Sequence, residues 1–161
     1  MKFQDLTQIK RIIVHGSFSK ISGNLSYELL KRIHQEEKGF NAPMGYHCYI
    51  QKDGTKHYGR NLDVVGAHAA PWNTNSIGVC LEGGMREDFN GNWQDQSNWV
   101  NNYTDESIAS CYEFVKEVIV TLYEAGNDVT NLDIIGHCDV PGVSKKCPGF
   151  NVEDVFGWIT K

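Results

Sequence analysis

Apolar positions along this chain follow two periods, and the switches between them mark out the elements. Arg11-Ile12-Ile13-Val14-His15, Ser76-Ile77-Gly78-Val79-Cys80-Leu81 and Leu132-Asp133-Ile134-Ile135 are short apolar runs bounded by polar or glycine-containing stretches. Runs of this length predict buried strands. From about Ser26 to Lys38, Leu29, Leu30 and Ile33 form a stripe at helical spacing, with Gly39 as a stop. A longer helix is predicted after Thr104. Asp105 and Glu106 occupy its first turn, Ile108, Cys111, Tyr112, Val115, Val118, Ile119 and Leu122 form its stripe, and Gly126-Asn127-Asp128 ends it. A last helix starts at Asn151 as N-cap, with Val152, Val155, Phe156 and Ile159 inward.

Asp53-Gly54 sits between two aromatic-rich alternating runs within Gly45–Arg60 and predicts a β-hairpin. Alternation then puts Tyr46, Cys48 and Ile50 on one face of its first strand, and His47 and Tyr49 on the other. Residues 1–10 read as a polar edge segment, and 16–24 and 64–75 as loops. Gly83-Gly84 closes the strand at 76–81, and the polar stretch 85–103 reads as a long loop or insertion over a site. The order βαβββαβα predicts an α/β fold. One domain spans 1–161, with a central mixed β-sheet flanked by α-helices and a cleft at one sheet edge.

The 161 residues suffice for one domain with its own core. A net charge of −5 argues against a nucleic-acid partner or an anionic membrane surface, which call for a basic face. No stretch has the length of a signal peptide's apolar region or of a membrane span, so the chain is expected to be made and held in a cytoplasm. Five cysteines, an odd number, in that compartment argue against a disulfide framework. Cys48, Cys80 and Cys111 lie in apolar patterns and read as small buried hydrophobes.

The chemistry concentrates near the C-terminus, where His137 ends an apolar run and Cys147 follows ten residues later in a Pro/Gly-rich loop. His15 ends the first strand in the same way. Two imidazoles and a thiolate fit a catalytic Zn2+ site, in which three protein ligands leave a fourth position open. Tyr46 and Lys145 can then donate hydrogen bonds to an oxyanion. Cys138 reads as a packed thiol, because a fourth ligand would close the site. His34 reads as a surface or partly packed residue. His47 and His57 are expected to face away from the site or into solvent. Trp93, Trp99 and Tyr103 read either as a sugar-stacking wall or as core packing and loop closure.

The motifs Ile12-Ile13-Val14-His15, Gly45-Tyr46-His47-Cys48-Tyr49-Ile50, Lys52-Asp53-Gly54-Thr55, Gly66-Ala67-His68-Ala69, Asn75-Ser76-Ile77-Gly78-Val79-Cys80-Leu81-Glu82-Gly83-Gly84, Gly136-His137 and Lys145-Lys146-Cys147-Pro148-Gly149 occur in order over nearly the whole chain. In this the chain resembles the zinc-dependent N-acetylmuramoyl-L-alanine amidases of the type 2 family, which includes phage lysozyme-type endolysins and peptidoglycan recognition proteins. The resemblance implies zinc ligands at His15, His137 and Cys147. It puts the catalytic tyrosine at Tyr46 and the catalytic lysine at Lys145, with Lys146 as the alternative because the 137–147 loop is slightly longer than in the phage enzymes. His68, Trp72 and Asn73 match the region lining the substrate cleft. The implied activity is hydrolysis of the amide between N-acetylmuramic acid and the L-alanine of the stem peptide. The implied role is that of a phage or prophage endolysin, a monomer acting on peptidoglycan without nucleic acid or stable membrane association. Some phage members bind a polymerase, but residues 1–10 carry nothing that transfers this. Two rivals remain: a non-catalytic peptidoglycan-binding or regulatory protein on the same fold, and a cysteine peptidase using Cys147 or Cys138.

Overall fold

A computed structural model describes residues 1–161. Its centre is a five-stranded mixed sheet in the order β4-β3-β5-β1-β7. The strands are β1 (Arg11–Gly16), β3 (Cys48–Ile50), β4 (Lys56–Tyr58), β5 (Ser76–Leu81) and β7 (Asp133–Gly136). β1 runs parallel to β5 and β7, β3 runs parallel to β5, and β4 closes the sheet as the antiparallel arm of the hairpin. Gly54 takes φ +87° in the hairpin turn, a conformation open to glycine without a Cβ clash. Two further strands, β2 (Ser19–Lys20) and β6 (Gly84–Met85), pair in parallel as a separate two-stranded ribbon. Sequence alone reads both as loop, because two residues carry no periodicity.

Strand alternation divides the sheet into two buried faces. Ile12, Val14, Cys48, Ile50, Ile77, Val79 and Leu81 point to the main core, where α2 (Asp105–Glu124) contributes Cys111, Phe114, Val115, Val118 and Leu122, and α3 (Val152–Phe156) contributes Val152 and Phe156. Thr104 caps α2 by accepting the Ser107 amide at 3.1 Å. The other face holds two smaller clusters. Leu30 of α1 (Tyr27–Arg32) packs with Met44, Tyr49 and Cys80, and Ile13 packs with Ala69 and Val140.

The structure departs from the sequence expectation at several points. The helix after Ser26 is α-helical only to Arg32 and continues over Ile33–Glu37 as a π-turn. His34 on that turn is buried, its Nδ1 accepting the Gly45 amide at 3.0 Å, and burial lowers its pKa to about 4. His47 is also buried rather than solvent-facing. Its Nδ1 accepts the Gly78 amide and its Nε2 donates to the Val64 carbonyl, both at 2.9 Å. Tyr46 does not share a face with Cys48 and Ile50. It precedes β3, where alternation does not apply, and packs with the Leu30–Met44–Tyr49–Cys80 cluster. Residues 1–10 are more than an edge, since Ile9 enters the core and Gln4 is buried against the Leu62 and Ser76 carbonyls.

A buried carboxylate ties these parts together. Glu82, at the end of β5, accepts the Leu25 amide at 2.9 Å and the Lys52 amide at 2.8 Å. The entry to α1 and the hairpin turn are thereby fixed to one strand end. Phe114, 2 % exposed, fills the centre of the α2 face. Phe114→Ala is expected to lower unfolding free energy in urea by about 3–5 kcal/mol. Val120→Ala, on the same helix at a residue 54 % exposed, is expected to change it by less than about 0.5 kcal/mol. Equal losses would contradict this assignment of the core.

Candidate metal centre and active site

The C-terminal ends of the parallel strands form one rim, and the site lies there. This rim of strand ends, not a lateral edge strand, is the sheet edge that carries the cleft. His15 lies near the end of β1, and His137 follows β7 directly. The register pairs Val14 with Gly136, so the two histidines leave the sheet side by side, with ring centroids 4.5 Å apart. Cys147 reaches them from the loop after β7, which is closed by the Cys138 amide donating to the Cys147 carbonyl at 2.8 Å. One ligand atom from each of His15, His137 and Cys147 falls within 4.8 Å of the others, a span one metal ion can bridge. The donor set is two nitrogens and one sulfur, with no fourth protein ligand in the group. Cys138 stays outside it.

Each donor has a defined protonation environment. Burial, reinforced by the neighbouring His68 and His137, holds His15 well below the usual imidazole pKa. Burial and the nearby Lys145 cation lower His137. Both rings are therefore neutral and have a lone pair to give. Burial pushes the Cys147 thiol up to about 12, while the Gly16 amide donates to its sulfur at 3.3 Å and acts in the opposite direction. A cation at this point would favour the thiolate.

A hydrogen-bond chain behind His15 sets its tautomer. The Ser76 hydroxyl donates to the Trp72 carbonyl at 2.6 Å, which turns its lone pairs towards His68 Nε2 at 3.4 Å. His68 Nε2 then carries the proton, and His68 Nδ1 accepts from His15 Nε2 at 2.8 Å. This leaves the Nδ1 lone pair of His15 for a metal. A Cβ on Gly66 would lie 2.4 Å from the His68 ring and one on Gly78 2.7 Å from it, so the two glycines make its slot.

A cavity of about 430 Å3 opens on this centre. Its lining includes His15, Tyr46, His137, Lys145 and Cys147. Tyr46 stands 5.1 Å from His15 by ring centroids. Burial, then the Cys80 and Cys147 thiols, raises its phenol well above the usual pKa. Lys146 points elsewhere and lines a separate hollow with Cys138 and Asp139. His68 and Asn73 border an adjoining hollow with His34, Lys38 and Tyr46. Both His68 ring nitrogens are engaged within the protein, and Asn73 Oδ1 accepts the His68 and Ala69 amides at 2.8 and 2.7 Å. Trp72 lines neither hollow. The Arg11 guanidinium lies 3.8 Å from its ring centroid, and the ring packs on the Ile13–Ala69–Val140 cluster.

The 85–103 segment does lie over the site, and its aromatics divide. Tyr103 is a lock: its hydroxyl donates to the Pro148 carbonyl at 2.5 Å, and a Cβ on Gly16 would lie 2.0 Å from it. Trp99 and Trp93 line the cavity with Phe18. Sequence reading missed Phe18, the Gly16 amide and the part played by Ser76. A lone aromatic in a loop, a glycine and a strand-end serine carry no signal of their own.

Comparison with known proteins gives the family and the fold. The family model described as N-acetylmuramoyl-L-alanine amidase matches residues 5–150. The chain belongs to that family. Among curated relatives, the endolysin of Enterobacteria phage T3 is 31 % identical over 156 residues, covering 95 % of this chain and 89 % of that protein. Among solved structures, N-acetylmuramoyl-L-alanine amidase LysC from Clostridium intestinale URNW superposes with a TM-score of 0.70 at 23 % identity, over 99 % of this chain and 90 % of that one. Drosophila PGRP-LB does so with a TM-score of 0.70 at 22 % identity, over 99 % and 84 %.

His68→Ala removes the group that orients His15. It is expected to weaken Zn2+ binding about 10–100-fold, read by chelator competition on folded protein. Unchanged affinity would contradict the orienting chain.

Proposed function

We propose that this chain is a zinc-dependent peptidoglycan amidase of the endolysin type, cleaving the amide between N-acetylmuramic acid and the L-alanine of the stem peptide. The observation that carries the reading is the convergence of His15, His137 and Cys147 in one cavity with Tyr46 and Lys145. His15, His137 and Cys147 would hold the ion through two neutral imidazoles and a sulfur that already receives the Gly16 amide. When bound, zinc supplies a Lewis acid and a source of hydroxide at neutral pH.

The chain's own residues do the rest. Tyr46 keeps its proton at neutral pH because its pKa is raised, and so serves as a hydrogen-bond donor to the oxyanion that forms as the carbonyl becomes tetrahedral. Lys145 brings a cation to the same cavity and stabilises the same charge. His68 holds the His15 ring. Phage relatives of similar length support an endolysin role against the bacterial wall. With it we place a monomer that accumulates in the host cytoplasm until another factor opens the membrane. No helix is long and apolar enough to cross a membrane.

The binding-only alternative is disfavoured because Cys147 and Tyr46 are both in place beside the histidines. The cysteine-peptidase alternative is disfavoured because Cys147 lies in a loop running into Pro148 rather than at a helix N-terminus, and burial raises the Cys138 thiol. Cys147→Ser is expected to lose most bound zinc by metal analysis, and activity with it. Tyr46→Phe is expected to keep its zinc while kcat on cell-wall substrate falls about 10²–10³-fold. Full activity in metal-free protein, or in Tyr46→Phe, would overturn the assigned roles.

A further inference from the structure

The 85–103 segment is built as a rigid shelf. Buried Asn98 donates through Nδ2 to Asn90 Oδ1 at 2.8 Å and to the Asn92 carbonyl at 2.9 Å. Asn90 Nδ2 donates to Asp95 at 2.6 Å, and Asp95 accepts the Ser97 amide at 2.9 Å. At the base, the Arg86 amide donates to the Asn98 carbonyl and the Val100 amide to the Gly84 carbonyl. Three aromatics of this shelf, Phe89, Trp93 and Trp99, cluster with Phe18 through tilted and edge-on contacts. Phe18 lies 4.4 Å from Trp99 at 30° and 5.7 Å from Trp93, and Trp93 lies 4.8 Å from Phe89. Phe18 takes φ +53°, a costly conformation for a bulky residue, held where its ring meets Trp99. Trp93 is nonetheless 65 % exposed, and Gln94 beside it is exposed too. Phe18, Trp93, Gln94, Gln96 and Trp99 line the same cavity as His15 and Tyr46.

We infer that this aromatic shelf is a saccharide subsite, with Trp93 stacking on a sugar ring of the glycan strand that carries the scissile amide. The inference rests on the amidase reading and adds to it the side of the cleft on which the glycan lies. The chemistry distinguishes the two parts of the substrate. A pyranose offers an uncharged C–H face and a rim of hydroxyls, which suit an exposed indole bordered by the Gln94 amide. A stem peptide carries carboxylates. The shelf holds Glu87, Asp88 and Asp95, and its one cation, Arg86, is already paired to Asp88 at 2.6 Å. Peptide carboxylates are better matched by Lys38, which lines this cavity and, with His34 and Tyr46, continues into the adjoining hollow where no shelf residue reaches. The substrate therefore runs from the Trp93 shelf, past the metal ligands, towards Lys38.

Binding of peptide-free glycan strands, measured by calorimetry, tests this without requiring turnover. The wild-type chain is expected to bind them. Trp93→Ala should weaken that binding about 5–10-fold, with Trp93→Tyr recovering part of it. In turnover, the kcat/KM advantage of substrates with several sugars over those with one should disappear in Trp93→Ala. Absent glycan binding, or equal affinity in wild type and Trp93→Ala, would overturn the subsite. Trp93-dependent binding without any amide cleavage by the wild type would instead overturn the amidase reading and leave the subsite standing.

Discussion

His15 and His137 meet because β1 and β7 run parallel with Val14 opposite Gly136, and the rest of the site depends on that register. A slip of one residue would send one imidazole to the opposite face of the sheet, into the core under α2. The register is held from both faces. Ile12 and Val14 are locked against the α2 and α3 side chains, and Ile13 against Ala69 and Val140. The sheet thus places two nitrogen donors with the rigidity of a core, and the loop carrying Cys147 has only to close onto them.

That closure is supported from outside the sheet. Tyr103 bonds the Pro148 carbonyl and fills the space over Gly16, whose amide in turn faces the Cys147 sulfur. The segment that bears the aromatic cluster therefore also braces Cys147, the third member of the candidate metal centre. On the other side, Ser76 and His68 fix the His15 ring from behind. The supports of the candidate metal centre and of the cavity beside it are thus shared, spread through the chain and brought together only in the fold.

Much of this was legible in the sequence. The buried strands and α2 announce themselves by uninterrupted or helical apolar spacing, and a histidine at the end of an apolar run stands out because such runs rarely finish on a polar ring. The surroundings were less legible. His34 reads as a surface or partly packed residue and His47 as facing away from the site or into solvent, yet each is buried against a backbone amide, of Gly45 and Gly78, that only the tertiary fold supplies. Alternation puts Tyr46 on the face of Cys48 and Ile50, but the strand begins two residues after it and the rule does not reach it. The family resemblance puts Trp72 with the cleft, whereas its ring packs beneath the Arg11 guanidinium and on the Ile13 cluster. Of the two lysines between which the sequence leaves a choice, Lys145 lines the cavity and Lys146 the hollow beside Cys138.

The most direct test of the account is the release of new L-alanine amino termini from purified bacterial sacculi, with and without a zinc chelator. The account predicts release that the chelator abolishes and that added zinc restores. Folded, zinc-loaded protein that releases none from several wall types, or release that persists unchanged in the chelator, would contradict it.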